Sequence, residues 1–297
     1  MSKIYGFGNA LIDIEISIFE EQLSSLRITK GSMIHISNEQ KTKWLMDFKK
    51  NILSKAPGGS IANSLHAASQ YGSECNFSCS LGSDEEGRVF SEGFKNSNTN
   101  IFSNISKKDT GICFIFVTPD GERTMASCLS ANKELIPECL NKEMILQSDW
   151  LVFDAFSVCT GNGYRTAKEA MRIAKGNDIK IAFGLADINI IKSNLNEIKW
   201  VIDQKIDLLI GNKSEISLLN NYLKIKTNIL CTQGSQGSTY NKFKVKAPLV
   251  KVDNTNGAGD ALLGAFLSLI DNKGEKKALE EAVKYASKVC TIGKPRL

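Results

Sequence analysis

Trp150-Leu151-Val152-Phe153 is an unbroken apolar run. Tyr164, Ala167, Ala170, Met171 and Ala174 follow it at helical spacing, and Ile179-Lys180-Ile181-Ala182-Phe183 is strand-like again. A short apolar run, a one-sided helix and a second short run make a βαβ unit. The alternation continues through Asp207-Leu208-Leu209-Ile210 and Ile229-Leu230-Cys231-Thr232, with helical segments near 192–204 and 213–223 between them. This predicts an α/β fold: a doubly wound, mainly parallel sheet with helices on both faces. Ligands in such sheets sit beyond the carboxyl ends of the strands.

Towards the N-terminus the order changes. Residues 61–71 read as a helix, whereas Ile12-Asp13-Ile14-Glu15-Ile16-Ser17-Ile18, Ser32-Met33-Ile34-His35-Ile36 and Gly111 to Val117 read as strands. The first alternates apolar and polar residues, as a sheet with one wet face would. Strands without alternating helices predict a small β-sheet lid, discontinuous at about 14–36 and 103–126, on one compact domain spanning 1–297.

Composition narrows the classes. The 297 residues are 42% hydrophobic and 23% charged, ordinary for a globular protein, and no run approaches the roughly 20 apolar residues that span a bilayer. With no secretory h-region near Met1, the expected location is cytoplasmic. The net charge of +5 comes from scattered lysines rather than a basic block, so no nucleic-acid partner is indicated. Eight cysteines lie mostly in apolar runs and read as core thiols; Cys75 and Cys79 lack the further ligands a zinc site needs.

The chemistry concentrates at Thr255-Asn256-Gly257-Ala258-Gly259-Asp260, which opens the apolar helix Ala261-Leu262-Leu263-Gly264-Ala265-Phe266-Leu267. Small residues at a helix start let backbone N–H groups converge on an anion, and the helix dipole favours it. Asp260 in the first turn could face the same anion and take a proton from an attacking hydroxyl. An ordinary turn with a first-turn acid is the plainer alternative. A Rossmann loop fits poorly, because the third glycine and the later acidic residue are missing, and no Walker A loop is present.

The chain resembles the ribokinase-like (PfkB) carbohydrate kinases, whose C-terminal signature matches Asn256-Gly257-Ala258-Gly259-Asp260. Four further segments recur in family order: Gly8-Asn9-Ala10-Leu11-Ile12-Asp13, Pro57-Gly58-Gly59-Ser60-Ile61-Ala62-Asn63, Asn212-Lys213-Ser214-Glu215 and Thr232-Gln233-Gly234-Ser235-Gln236-Gly237. The resemblance implies ATP as phosphoryl donor with Mg2+. It implies Asp260 as base with Gly257, Ala258 and Gly259 beside it, and Asn9, Asp13, Gly58, Gly59 and Asn63 on the substrate. It puts Asn212, Thr232, Gly234 and Gly237 on the nucleotide, and Glu215 on magnesium through water. Physically, a carboxylate at Asp13 can accept from two adjacent hydroxyls, and Asn63 can both donate and accept.

The style of Gly8 to Asp13, of Thr118-Pro119-Asp120-Gly121-Glu122-Arg123-Thr124-Met125 and of Gly293-Lys294-Pro295-Arg296-Leu297 is closest to bacterial adenosine-kinase-like members. That resemblance favours a nucleoside, with the adenosine 5′-hydroxyl as acceptor. A free sugar or sugar phosphate is the alternative acceptor, and a non-catalytic nucleotide- or sugar-binding protein is the alternative class. A nicotinamide oxidoreductase has no glycine fingerprint behind it. One departure stands out: the family's aspartate before the signature threonine is replaced by Asn254, with the acid at Asp253. Because that aspartate helps form a monovalent-cation site in ribokinases, dependence on such an ion is left open. Arg123 could meet a phosphate or simply be solvated; Phe102, Phe114, Phe116 and Phe156 are either base-stacking or core residues. The partners expected are ATP and a small molecule, with no membrane, and a lid sheet could also pair with a second subunit.

Overall fold

The computed structural model describes residues 1–292 and 294–297. Gly293, one residue of the adenosine-kinase-like ending, lies outside the described residues.

Among the described residues fourteen strands form two sheets. In chain order they are β1 (Lys3–Phe7), β2 (Leu11–Ser17), β3 (Met33–His35), β4 (Ile52–Gly58), β5 (Glu74–Gly82), β6 (Thr99–Ser106), β7 (Gly111–Val117), β8 (Arg123–Cys128), β9 (Trp150–Asp154), β10 (Lys180–Gly184), β11 (Leu208–Asn212), β12 (Asn228–Thr232), β13 (Ser238–Tyr240) and β14 (Phe243–Val245). The large sheet has nine strands in the order β14-β13-β12-β11-β10-β9-β1-β5-β6. It is parallel from β12 to β6, and β13 and β14 extend it as an antiparallel edge.

Period-two alternation puts successive side chains of this sheet into different cores. Ile4, Val152, Ala182 and Leu208 pack under the helices Ser60–Gln70, Ala258–Lys273 and Glu275–Val289. Tyr5, Leu151, Phe153, Ile181, Phe183 and Leu209 pack under Gly163–Lys175 and Leu195–Asp203. The sheet is doubly wound, as the sequence predicts. From β1 the chain builds outward to β5 and β6, then returns to β9 on the other side of β1. The switch point at β1 and β9 is where such a fold opens a crevice.

The small sheet has five strands in the order β3-β8-β7-β2-β4. Its boundaries differ from the expected lid in two places. Thr99–Ser106 pairs in parallel with β5, from Cys75↔Thr99 to Gly82↔Ser106, so residues 103–106 belong to the large sheet. Ile52–Gly58 joins the small sheet beside β2; as an edge strand it tolerates Pro57, which hid it in the sequence. Even-numbered Phe114 and Phe116 turn to the back of this sheet, edge-on to Trp44 of the Asn38–Asp47 helix at ring distances of 5.7 and 5.6 Å. They are core residues, as is the plainer of their two readings. All eight cysteines are free thiols, four buried and four half-buried. Among the described residues no helix is long and apolar enough to cross a membrane.

The helices Ser60–Gln70 and Ala258–Lys273 cross so closely that a β-carbon at Gly264 would overlap the Ser64 carbonyl. Overpacking of this kind costs about 1–3 kcal/mol. Gly264→Ala should lower the urea midpoint by that amount of stability at unchanged m-value, and should lose turnover beyond the loss of folded protein.

Candidate active site

The two sheets face each other across a cavity of about 490 Å3 at the carboxyl ends of β1 and β9. Its walls have distinct origins. The odd-numbered residues of the small sheet supply one side: Leu11 and Asp13 from β2, Met33 and His35 from β3, Cys113 and Ile115 from β7, Arg123, Met125 and Ser127 from β8. The other side comes from loops and helix starts around the large sheet, including Ser60, Asn63, Asp154, Phe156 and Asp260. Leu11, Cys113, Ile115 and Leu129 form an apolar cluster of their own, with Met125 packed against it.

Asp260 stands in the first turn of the Ala258–Lys273 helix, whose N-cap is Gly257. The first amides of a helix have no carbonyl of the same helix to bond, so those at Gly259 and Asp260 are available to an anion. Asp260 Oδ1 accepts from Ser60 Oγ at 2.6 Å and Oδ2 from Asn63 Nδ2 at 3.0 Å. Burial raises its pKa above the ordinary carboxylate value, while Ser60, Asn63 and Arg296 pull the other way. A raised carboxylate is a stronger base, suited to taking a proton from a hydroxyl.

Asp13 lies deeper, 9% exposed. A β-carbon at Gly58 on neighbouring β4 would overlap its carboxylate, so only glycine leaves Asp13 its place. Asn256 Nδ2 reaches Asp13 Oδ2 at 3.5 Å. Burial pushes Asp13 up to about 7, against the charge of Arg296. Asn9 and Gly59 line the same end. On the far side, Asn212 and Glu215 form a capping box: the Asn212 backbone N–H donates to Glu215 Oε2 at 2.8 Å and Asn212 Nδ2 to Oε1 at 2.6 Å. Thr232 ends β12 at the cavity rim.

Most of the expected site residues thus converge on one cavity: Asn9, Asp13, Gly59, Asn63, Asn212, Glu215, Thr232, Gly257, Gly259 and Asp260 line it. Gly58 supports Asp13 from behind, and Ala258 is the first residue of the helix. Gly234 and Gly237 do not line the cavity; they form the tight turn between β12 and β13, closed by Gln233 N–H to Gly237 O at 2.8 Å. Arg123 is not simply solvated, since it donates to Glu15 at 2.9 Å along the small-sheet wall. Of the four phenylalanines, Phe156 lines the cavity. Residues 251–257 form a loop; Asp253 is exposed, and buried Asn254 accepts from the Asn256 N–H at 2.8 Å.

Both carboxylate oxygens of Glu215 are taken by Asn212, and no group of three His, Cys, Asp or Glu among the described residues could hold a metal directly. That donor set suits Mg2+, which keeps several waters and takes few carboxylates besides substrate phosphates. Glu215 and Asp187, both on the cavity wall, are the acids that could hold its waters.

Besides Asp187, three site residues were not foreseen. Ser60 could have been found from its i, i+3 spacing with Asn63, which puts both on one helix face. Asp154 ends β9 and accepts from the Ser157 N–H at 2.8 Å; it sits at a strand carboxyl end, the place the fold marks for ligands. Arg296 stands in the adenosine-kinase-like ending, but nothing local in that segment marks it for the site.

Residues 42–292 match the pfkB family carbohydrate kinases. The chain belongs to that family. This pfkB-family kinase is 28% identical over 278 residues to a probable fructokinase-5 of Arabidopsis thaliana, covering 81% of this chain and 83% of the relative. It is 27% identical to a 5-dehydro-2-deoxygluconokinase of Halalkalibacterium halodurans, at 80% of each chain. Among solved structures, an adenosine kinase from Sinorhizobium meliloti superposes with a TM-score of 0.90 at 22% identity, covering 100% of this chain and 96% of that one. A probable sugar kinase from Rhizobium etli does so with 0.91 at 22% identity, covering 99% and 94%. These likenesses match the doubly wound fold with its second small sheet. At the level the family carries, the protein is a sugar or nucleoside kinase, and the family implies ATP.

The acids make stability depend on pH. Asp13 is raised to about 7 and Asp154 to about 6, in both cases first by burial. Raised acids bind protons more tightly in the folded than in the unfolded chain, so their contribution is full below about pH 4 and is lost as pH rises towards 7. In urea titrations of the ligand-free protein at pH 5 and pH 8, Asp13→Asn should raise stability at pH 8 and flatten the fall between the two. The gain is a few kcal/mol, about 1.4 for each pH unit of raised pKa.

Proposed function

We propose that this kinase transfers the γ-phosphate of MgATP to the 5′-hydroxyl of a nucleoside, adenosine being the favoured substrate. The observation that carries the acceptor is that polar groups and an apolar surface stand side by side in the cavity lining. Asp13 and Asn63 offer polar partners for the hydroxyls of a ribose, while Leu11, Cys113, Ile115, Met125 and Leu129 present an apolar wall, with Phe156 also lining the cavity. A nucleoside has one polyol part and one flat, largely apolar part. A free sugar carries hydroxyls all round and would bury some of them unpaired against that wall. The cavity volume of about 490 Å3 lies in the range of small-molecule sites.

In this reading the acceptor oxygen forms its bond to the γ-phosphorus as the bond from that phosphorus to the β-bridging oxygen breaks, and ADP leaves. Asp260 takes the hydroxyl proton, with Ser60 and Asn63 holding its two oxygens in place. The amides at the start of the Ala258–Lys273 helix stabilise the charge on the transferring group, a contribution of about 10²- to 10³-fold where it has been removed elsewhere. Bound magnesium, held by Glu215 and Asp187 through water, would supply charge neutralisation on the phosphates. Asn212 and Thr232 would contact the nucleotide, and Gly234 and Gly237 would let the chain pass near it. The small sheet over the acceptor limits water as a competing acceptor.

A free sugar is the second reading. The likeness to a fructokinase supports it, as does the Arg123–Glu15 pair, which puts polar groups on the same wall.

A kinase assay comparing adenosine, inosine, ribose, fructose and fructose phosphates tests the choice. Adenosine should have the highest kcat/KM, and a clear preference for fructose would overturn the nucleoside reading. Asp260→Asn should lose about 10²- to 10⁴-fold or more in kcat with MgATP binding unchanged. Phe156→Ala should raise the KM for adenosine about tenfold, the loss of one stacking contact, and leave the KM for ATP alone.

A further inference from the structure

Arg296 comes from the far end of the chain, yet its guanidinium sits among the acids of the site. Nε donates to Asn63 Oδ1 at 2.7 Å and Nη2 to the Gly58 carbonyl at 3.4 Å. Its central carbon lies 4.4 Å from the centre of the buried Phe94 ring. The segment is held on both sides: Pro295 packs on Gly257, and the Leu297 carbonyl lies 3.1 Å from His66 Nε2. Arg296 does not line the cavity; it stands behind the residues that do.

An asparagine amide can present its oxygen or its nitrogen in either direction, whereas an arginine can only donate. With Oδ1 of Asn63 facing Arg296, Nδ2 must face Asp260, and it does so at 3.0 Å. The opposite orientation would set an amide oxygen against a carboxylate and an amide N–H against a guanidinium. The Arg296 Nη1 is buried without a partner. An unpaired buried donor costs stability, so packing alone is a poor account of an arginine here.

Charge tells the same story. Asp13 faces Glu15 and Cys113 on the small sheet and Asp260 on the helix, while Asp260 faces Asp154 at the end of β9. Glu15 is paired with Arg123 and His66 neighbours the tail. Arg296 is the cation whose charge acts on both Asp13 and Asp260.

We infer that Arg296 is a positioning residue for the acceptor side of the site: it turns the Asn63 amide towards Asp260 and places a positive charge beside Asp13 and Asp260. This rests on the kinase reading, because the state of Asp260 matters to turnover only if it takes the proton. The residue acts through Asn63 and through its field, without touching substrate.

The test compares wild type, Arg296→Gln and Arg296→Lys by the pH profile of kcat/KM and by carbon-13 NMR titration of the aspartate carboxyls, assigned with Asp13→Asn and Asp260→Asn. Removing an opposite charge at close range should move the acid limb and the Asp13 titration of Arg296→Gln upward by about one pH unit or more. Arg296→Lys, which keeps the charge but loses the planar fork, should hold the acid limb near wild type while kcat falls. A folded Arg296→Gln protein with unshifted carboxyl titrations, or a rate loss uniform across pH, would overturn the inference. Should Arg296→Gln fail to fold, Arg296→Lys carries the test alone, and an acid limb climbing by a full unit in that variant overturns it. The NMR titration needs no turnover. A wild type that phosphorylates nothing would therefore count against the kinase reading, and unmoved carboxyls against the role of Arg296.

Discussion

Two helices separated by nearly two hundred residues of sequence meet where Gly264 passes the Ser64 carbonyl with no room for a side chain. That approach fixes the distance between the first turns of both helices, and the first turns carry Ser60, Asn63 and Asp260. Because each helix also packs on the large sheet, the crossing ties the acid to the scaffold rather than to a loop. Hydrogen bonds of 2.6 and 3.0 Å to the two oxygens of Asp260 are the result. Groups held this way need little reorganisation when a substrate arrives, which is where much of the catalytic advantage of a preorganised site lies.

The small sheet solves a different problem with the same economy. Strands β2, β7 and β8 each give one set of alternate side chains to a core and the other to the cavity. Ile12, Phe114 and Ala126 pack behind, while Asp13, Cys113 and Met125 look inward. A single sheet thereby serves a core on one face and the cavity wall on the other. It also bears on why burial acts so strongly on Asp13, which lies between Leu11 and Glu15 on that face and opposite Cys113.

What the sequence discloses follows from how local each signal is. The alternation from Trp150 onward was readable because strand and helix periods are local, and the parallel core emerged as expected. The Asn256 to Asp260 turn was readable because a helix start is a local object, and Ser60 was within reach of the same reasoning. Ile52–Gly58 was obscured by Lys55 and Pro57, which an edge strand accepts and an isolated segment does not advertise. The helical segment near 192–204 is two helices, Ile188–Ser193 and Leu195–Asp203, interrupted at Asn194, whose φ of −135° leaves the helical range. Asp154, directly after the Trp150 to Phe153 run, was within reach of the rule that ligands sit beyond strand carboxyl ends. Arg296 needed the third dimension, because it reaches the site by closure of its segment over Gly257. Long-range closure leaves no trace in periodicity or spacing.

If Asp260 takes the proton, it must meet the acceptor hydroxyl directly. A crystal structure with adenosine and a non-transferable ATP analogue reads this without kinetics. The 5′-hydroxyl should then lie within about 3 Å of an Asp260 oxygen, the terminal phosphate at the start of the Ala258–Lys273 helix, and the base against Cys113, Ile115 and Phe156. A hydroxyl directed away from Asp260, towards another acid such as Asp154, would contradict it.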